Sequence, residues 1–197
     1  MRCDSATYFT NRPEACVFAE VLPFLTYQLG SDHQGVAFHV FSAQYFPNST
    51  YPKLVPEGQP QPRDKRIPGR YVPGDPAAPA LHRITEQLHP GESLANKNHK
   101  DGACYGTGPQ ADLYRDTGLP TRPNPPAEQC DEYPFASTLE GAAHPYWDFS
   151  VKAVPQRDNG VAGGLLRSYY DRDRMLARDY DLPRPDLTND RFYVHIQ

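Results

Sequence analysis

The sequence predicts a small α+β protein: a short antiparallel sheet with one helix in its last third, preceded by a long proline-rich segment fastened by disulfides. Three observations predict it. Apolar and polar residues alternate over 147–153 and again over 191–197, the period of half-buried strands. Between those stretches Val161, Leu165, Leu166 and Tyr169 fall on one helical face. Nine of the 22 prolines lie between Pro47 and Ala80, where missing donors and fixed φ angles exclude a helix interior or a central strand.

Taken in order, the 197 residues suffice for one domain with an elaboration: residues 1–129, with Pro-rich connections, packed on a core at 130–197. The run Val36–Phe41 is apolar enough for a short buried strand or helix, and its periodicity does not decide between them. Leu81, Ile84 and Leu88 stand at helical spacing, with Pro90-Gly91 expected to stop that helix. Tyr105–Gln129, with five prolines, reads as irregular. The regular part begins at Cys130 with a first strand. Trp147, Phe149, Val151 and Ala153 then form the inward side of a second, and Pro155 ends it. Asp158 or Asn159 is expected to cap the helix, whose Gly160, Gly163 and Gly164 lower its intrinsic propensity. Phe192, Val194 and Ile196 face inward from a last strand, so the local order is strand, strand, helix, strand.

Four cysteines with none in a CxxC pair argue against structural zinc and for two disulfides, for which three connectivities exist. The nearest-neighbour pairing, Cys3 with Cys16 and Cys104 with Cys130, closes short loops and is the one expected, each bridge stabilising by roughly 3 kcal/mol. Disulfides imply an oxidising compartment and hence a secreted protein. The early apolar stretch Val17–Leu29 contains Glu20 and Pro23 and lacks the plan of a signal peptide. Met1 opening directly onto Arg2-Cys3-Asp4 reads instead as a trimmed chain or as the tail of a longer polypeptide. No uninterrupted run of about 18 apolar residues occurs, so nothing in the sequence reads as a membrane span. The net charge of −4 is modest for a protein that holds a polyanion, although residues 151–197 carry eight Lys/Arg against seven Asp/Glu and are the less acidic part.

Asp131, Glu132 and Glu140 lie close in sequence, followed by Asp158-Asn159 at the helix start. Four carboxylates and an amide in this order could converge, and hard oxygen donors suit Mg²⁺, Mn²⁺ or Ca²⁺. On spacing alone three readings stay open: a metal-dependent enzyme, a glycoside hydrolase using Asp131 or Glu132 with Glu140, and a non-catalytic extracellular module that binds calcium. His82, His144 and His195 read as ordinary surface or packed histidines, and Trp147 as core of the second strand.

The stretches Cys130-Asp-Glu-Tyr-Pro-Phe-Ala-Ser-Thr-Leu-Glu-Gly-Ala142 and Val154-Pro-Gln-Arg-Asp-Asn-Gly-Val-Ala-Gly-Gly-Leu-Leu166 closely resemble the NucA/NucB family of bacterial extracellular deoxyribonucleases. Residues 1–129 look like the longer actinobacterial relatives, through Arg2-Cys-Asp-Ser-Ala6 and Leu81-His-Arg-Ile-Thr85. Two departures stand out. Glu140-Gly141-Ala142 replaces an expected Glu-Gly-Gly, and Asp158-Asn159-Gly160 replaces an expected Asp-Asn-Arg. The second puts a phosphate contact in doubt, for which Arg157 or Arg167 is the candidate substitute.

The resemblance implies an α+β core similar to the ββα-metal (His-Me finger-like) nucleases, in which a hairpin and a helix hold one divalent cation, Mg²⁺ or Mn²⁺. It implies Asp131 as the catalytic base, Glu132 or Glu140 as metal ligand or second base, and Asn159 as metal ligand. Asp158 would cap the helix or support the ligands. The implied substrate is DNA cut without sequence specificity, with RNA left open. The implied role is that of a secreted nuclease or of a C-terminal toxin domain, the latter needing an immunity protein as partner.

Overall fold

The computed structural model describes residues 1–18, 21–179 and 190–197. Among these residues the strands form three two-stranded pieces. β1 (Arg2–Asp4) pairs antiparallel with β2 (Ala15–Val17), placing Cys3 opposite Cys16. β3 (Phe24–Tyr27) pairs in parallel with β6 (Tyr193–Ile196), and β4 (Glu128–Tyr133) pairs antiparallel with β5 (Ser150–Pro155). Among the described residues the α-helices are α1 (Gln34–Tyr45), α2 (Pro90–Tyr105) and α3 (Gln156–Arg172). Disulfides join Cys3 to Cys16 and Cys104 to Cys130, the second tying the end of α2 to β4.

The undecided run Val36–Phe41 is helical. Val36, Ala37, Val40 and Ala43 fill the inner side of α1, where a 3.6-residue period gathers them on one face. They pack with Tyr27, Tyr133, Val154, Phe192, Val194 and, from α3, Ala162, Tyr169 and Tyr170. A smaller cluster on the other side of the hairpin joins Ala103 and Cys104 of α2 to Cys130, Ala142, Phe149 and Val151. The β4–β5 hairpin is thus covered on both faces.

That double cover corrects several expectations. Strand β5 begins at Ser150, and Trp147 lies before it, only partly buried. Covered on both faces, β5 buries Ser150, Val151 and Val154 and so does not alternate. Leu81 and Arg83 form isolated bridges, to Phe192 and Thr138, in place of a helix. Pro90 starts helix α2 at its first turn, where its missing N–H costs nothing. The buried positions of α3 are Ala162, Tyr169 and Tyr170, with Leu166 packed beside them, while Leu165 points to solvent. Strand β5 runs straight into α3 at Gln156, so neither Asp158 nor Asn159 is its N-cap. Asp158 instead serves another helix: its Oδ2 accepts the Gly35 N–H at 2.7 Å, capping α1, which has no side-chain cap of its own.

Candidate active site

Asp131 sits in the middle of β4, opposite Lys152 of β5. Successive strand residues point to opposite faces, so Asp131 faces α1 and its neighbour Glu132 faces the α2 side. The two carboxylates therefore cannot flank one bond as a pair.

On the α1 side, His39 Nδ1 lies 2.5 Å from Asp131 Oδ2 and His39 Nε2 lies 2.7 Å from Ser150 Oγ. An ionised carboxylate only accepts, so Nδ1–H donates to Asp131, and with the imidazole neutral Nε2 accepts from the Ser150 hydroxyl. All three are buried: His39 is 1% exposed, Asp131 7% and Ser150 0%. The order Ser, His, Asp is that of a nucleophile relay, but a fully buried hydroxyl cannot meet a substrate. The chain of bonds instead fixes one oxygen of Asp131. Its Oδ1 accepts no hydrogen bond among the described residues. One oxygen is anchored and the other is free to accept a proton.

Sequence reasoning missed His39. The signal was present: one titratable residue inside the apolar run Val36–Phe41, and a polar group buried in such a run needs a partner.

The other predicted residues are held by separate partners. Glu140 is buried, accepting the His82 backbone N–H through Oε2 at 2.8 Å and facing His82 Nδ1 through Oε1 at 2.7 Å. Its loop is pinned by Asn96 of α2, which donates to the Ala136 and Thr138 carbonyls and accepts from the Ala143 N–H. Gly141 is required there, since a Cβ would fall 2.4 Å from Asn96 Nδ2. Ala142, the first family departure, is buried among Ala103, Cys104 and Phe149 and fills space. Glu132 is partly covered as a residue, but its carboxyl lies deep. Burial raises its pKa to about 7, against the attraction of Lys100.

At the start of α3, Asn159 Nδ2 donates to Gln129 Oε1 at 3.0 Å, leaving Asn159 Oδ1 without a partner among the described residues. Arg157 pairs with Asp32 at 3.0 Å, both side chains largely exposed, and Arg167 is exposed further along the helix. Gly160, the second departure, is exposed with nothing near its missing Cβ, so no packing demands glycine there. Among the described residues no group of three or more His, Cys, Asp or Glu side chains is placed to hold a metal ion, so no three of the predicted carboxylates form a ready-made cage. A cleft of about 560 Å³ lies between residues 9–17 and the end of α3, and none of the candidate site residues lines it.

Residues 83–180, which contain Asp131, Glu132, Glu140, Asp158 and Asn159, match the family model for deoxyribonuclease NucA/NucB. Through these residues the chain belongs to the NucA/NucB family. No curated protein and no solved structure matches it. A nuclease family places the hydrolysis of DNA phosphodiesters at the centre of its chemistry, and the hairpin β4–β5 with α3 lies wholly inside the matched region. Helix α1, with His39, lies ahead of it. Among the described residues no helix is long and apolar enough to cross a membrane.

Proposed function

We propose that this NucA/NucB member is a metal-dependent, sequence-non-specific endonuclease in which Asp131 is the base that activates water, working from a ββα-metal arrangement of β4, β5 and α3. The observation that supports this most is the state of Asp131: inside the family-matched hairpin, with Oδ2 fixed by His39 and Oδ1 unpartnered among the described residues. A base held in one orientation needs no reorganisation when the proton moves.

The donor set fits a single hard cation of the Mg²⁺ or Mn²⁺ type. Such ions keep several waters and need only one or two protein oxygens plus the substrate phosphate, so a closed three-carboxylate cage is not required. Asn159 Oδ1 and the second oxygen of Asp158, both without hydrogen bonds among the described residues, are the groups that would hold it, and Glu140 is the next candidate. When bound, the cation supplies stabilisation of the charge that develops on the scissile phosphate and leaving oxygen. Arg157, exposed at the start of α3, and Arg167 further along are the candidates to contact phosphate. Asp131 receives the proton at Oδ1, while His39 and Ser150 keep Oδ2 in place.

Residues 130–197 form the catalytic core in this reading, and 1–129 the elaboration packed on it. The two disulfides favour an oxidising compartment and a secreted protein or exported toxin domain. A toxin would need an immunity protein, and RNA is a second substrate to assay. Plasmid incubated with the protein, with and without EDTA, separates the nuclease from a calcium-binding module and from a metal-independent glycoside hydrolase. Asp131→Asn should fold normally and lose at least about a hundredfold in cleavage rate. Retained cleavage would remove Asp131 from the mechanism.

A further inference from the structure

Helix α1 is apolar nearly all round, a pattern that ordinarily belongs to a fully buried helix. Here one side faces solvent. Phe38 is 53% exposed, Tyr45 47%, and Phe46, just past the helix, 57%. Phe38, Phe41 and Tyr45 stand at i, i+3 and i+7 and so share one face. Their rings form a row, with centroids 6.4 Å apart for Phe38 and Phe41 and 4.8 Å for Phe41 and Tyr45, the latter pair stacked at 28°; Phe46 closes on Phe41 at 5.8 Å.

A cation stands at each end of the row. Lys152 Nζ lies 5.0 Å from the Phe38 ring centre, and the Arg70 guanidinium lies 5.0 Å from that of Tyr45. Lys152 is also the cross-strand partner of Asp131, and His39, which holds Asp131, projects from the opposite side of the same helix. The row therefore starts beside the candidate base and leads away from it.

Exposed rings alone would serve a protein partner equally well. Rings bracketed by cations match a polyanion that also carries flat apolar faces, and an unpaired nucleic-acid strand is that ligand: its bases stack on aromatic side chains while its phosphates meet Lys and Arg. A duplex hides its base faces in its own stack. From Phe38 to Tyr45 the helix rises about 10 Å, the length of about three stacked nucleotides at roughly 3.4 Å each. We infer that the outer face of α1 is a stacking platform for single-stranded DNA, leading unpaired nucleotides toward Asp131. This rests on the nuclease reading above. Because α1 lies ahead of residues 83–180, the platform comes from outside the family-matched part of the chain.

The test is binding of a fluorescent oligothymidylate and of a labelled duplex to the full chain in EDTA, read by anisotropy so that no cleavage is needed. Phe38→Ala and Tyr45→Ala truncate exposed rings, and each should weaken single-strand binding by roughly 5- to 150-fold, the range given by 1–3 kcal/mol per stacked base at about 1.36 kcal/mol per decade. Duplex binding should hardly change. Phe38→Trp and Tyr45→Phe keep a ring and should bind the single strand at least as tightly as the parent for Trp and nearly as tightly for Phe. Unchanged single-strand affinity in both alanine variants overturns the proposal, as does an equal loss for duplex, which would mark plain charge attraction. So does a dimer seen by light scattering that the alanine variants dissociate without changing DNA affinity, since the face would then join two copies. Should the alanine variants melt early, weaker binding by Phe38→Trp decides against the platform. A wild-type chain that binds the single strand yet never cuts DNA would refute the nuclease reading and leave the platform intact; cleavage without ring-dependent binding would do the reverse.

Discussion

Replacing Gly35 by alanine sets helix propensity against tertiary contact, and the geometry decides the sign. In an unconstrained helix interior alanine is favoured over glycine by about 0.5–1 kcal/mol. At Gly35 the added Cβ would lie 2.9 Å from Asp158 Oδ2 and 3.1 Å from Pro155 Cδ. Neither neighbour retreats freely: the carboxylate oxygen accepts the Gly35 N–H at 2.7 Å, and Pro155 sits at the junction of β5 and α3. Moving the oxygen back to ordinary contact, about 3.5 Å, takes it beyond good hydrogen-bond distance. Losing a charge-assisted bond costs about 1.5–3 kcal/mol, so after the propensity gain the net destabilisation is roughly 1–2 kcal/mol. For a chain of this size that lowers Tm by roughly 2–8 °C. Thermal and urea melts of the parent and of Gly35→Ala at one pH measure it. In an Asp158→Ala background the same substitution should cost clearly less, because its main obstacle is gone. An unchanged or higher Tm for Gly35→Ala in the parent would refute the capping of α1 by Asp158.

His39→Ala should lower cleavage by up to about a hundredfold, the cost of a misplaced reacting group, while His39→Asn, which keeps an N–H near the Nδ1 position, should recover a large part of it. Equal losses in the two variants, measured alongside melting curves, would reduce His39 to a packing residue. Glu132 predicts a pH dependence of stability: burial raises its folded pKa from 4.5 to about 7, so the folded state holds more protons than the unfolded state in that interval. Its contribution is fully present below pH 4.5 and is lost as pH rises through 7. Glu132→Gln should therefore gain stability relative to the parent between pH 5 and 8, by up to about 3 kcal/mol. A difference between the two melts that stays constant with pH would refute this.

The sequence by itself determined the class of fold, the order hairpin then α3 then last strand, the two disulfides and the family, because each rests on local signals. Alternation marks the last strand, cysteine counts mark bridges, and the Cys130–Ala142 and Val154–Leu166 stretches are contiguous text. Local signals failed wherever a distant surface chose. Pro90 both ends and begins helices, and only the packing of α2 on the hairpin selects the beginning. The inner face of α3 was misplaced, Leu165 outward and Ala162 inward, because α1 and β3 set that face from more than a hundred residues away in the chain. The site shows the same division. Asp131 was legible as a residue, whereas the partner that orients it, His39, comes from a helix outside the recognisable stretch. Asp158 looked like the cap of its own helix and is the cap of α1. That Asp131, Glu140, Asp158, Asn159 and Glu132 turn to His39, His82, Gly35, Gln129 and the α2 side is a tertiary decision: strand alternation sends neighbours to opposite faces, and each buried polar group settles on whichever partner the packing brings within hydrogen-bond reach.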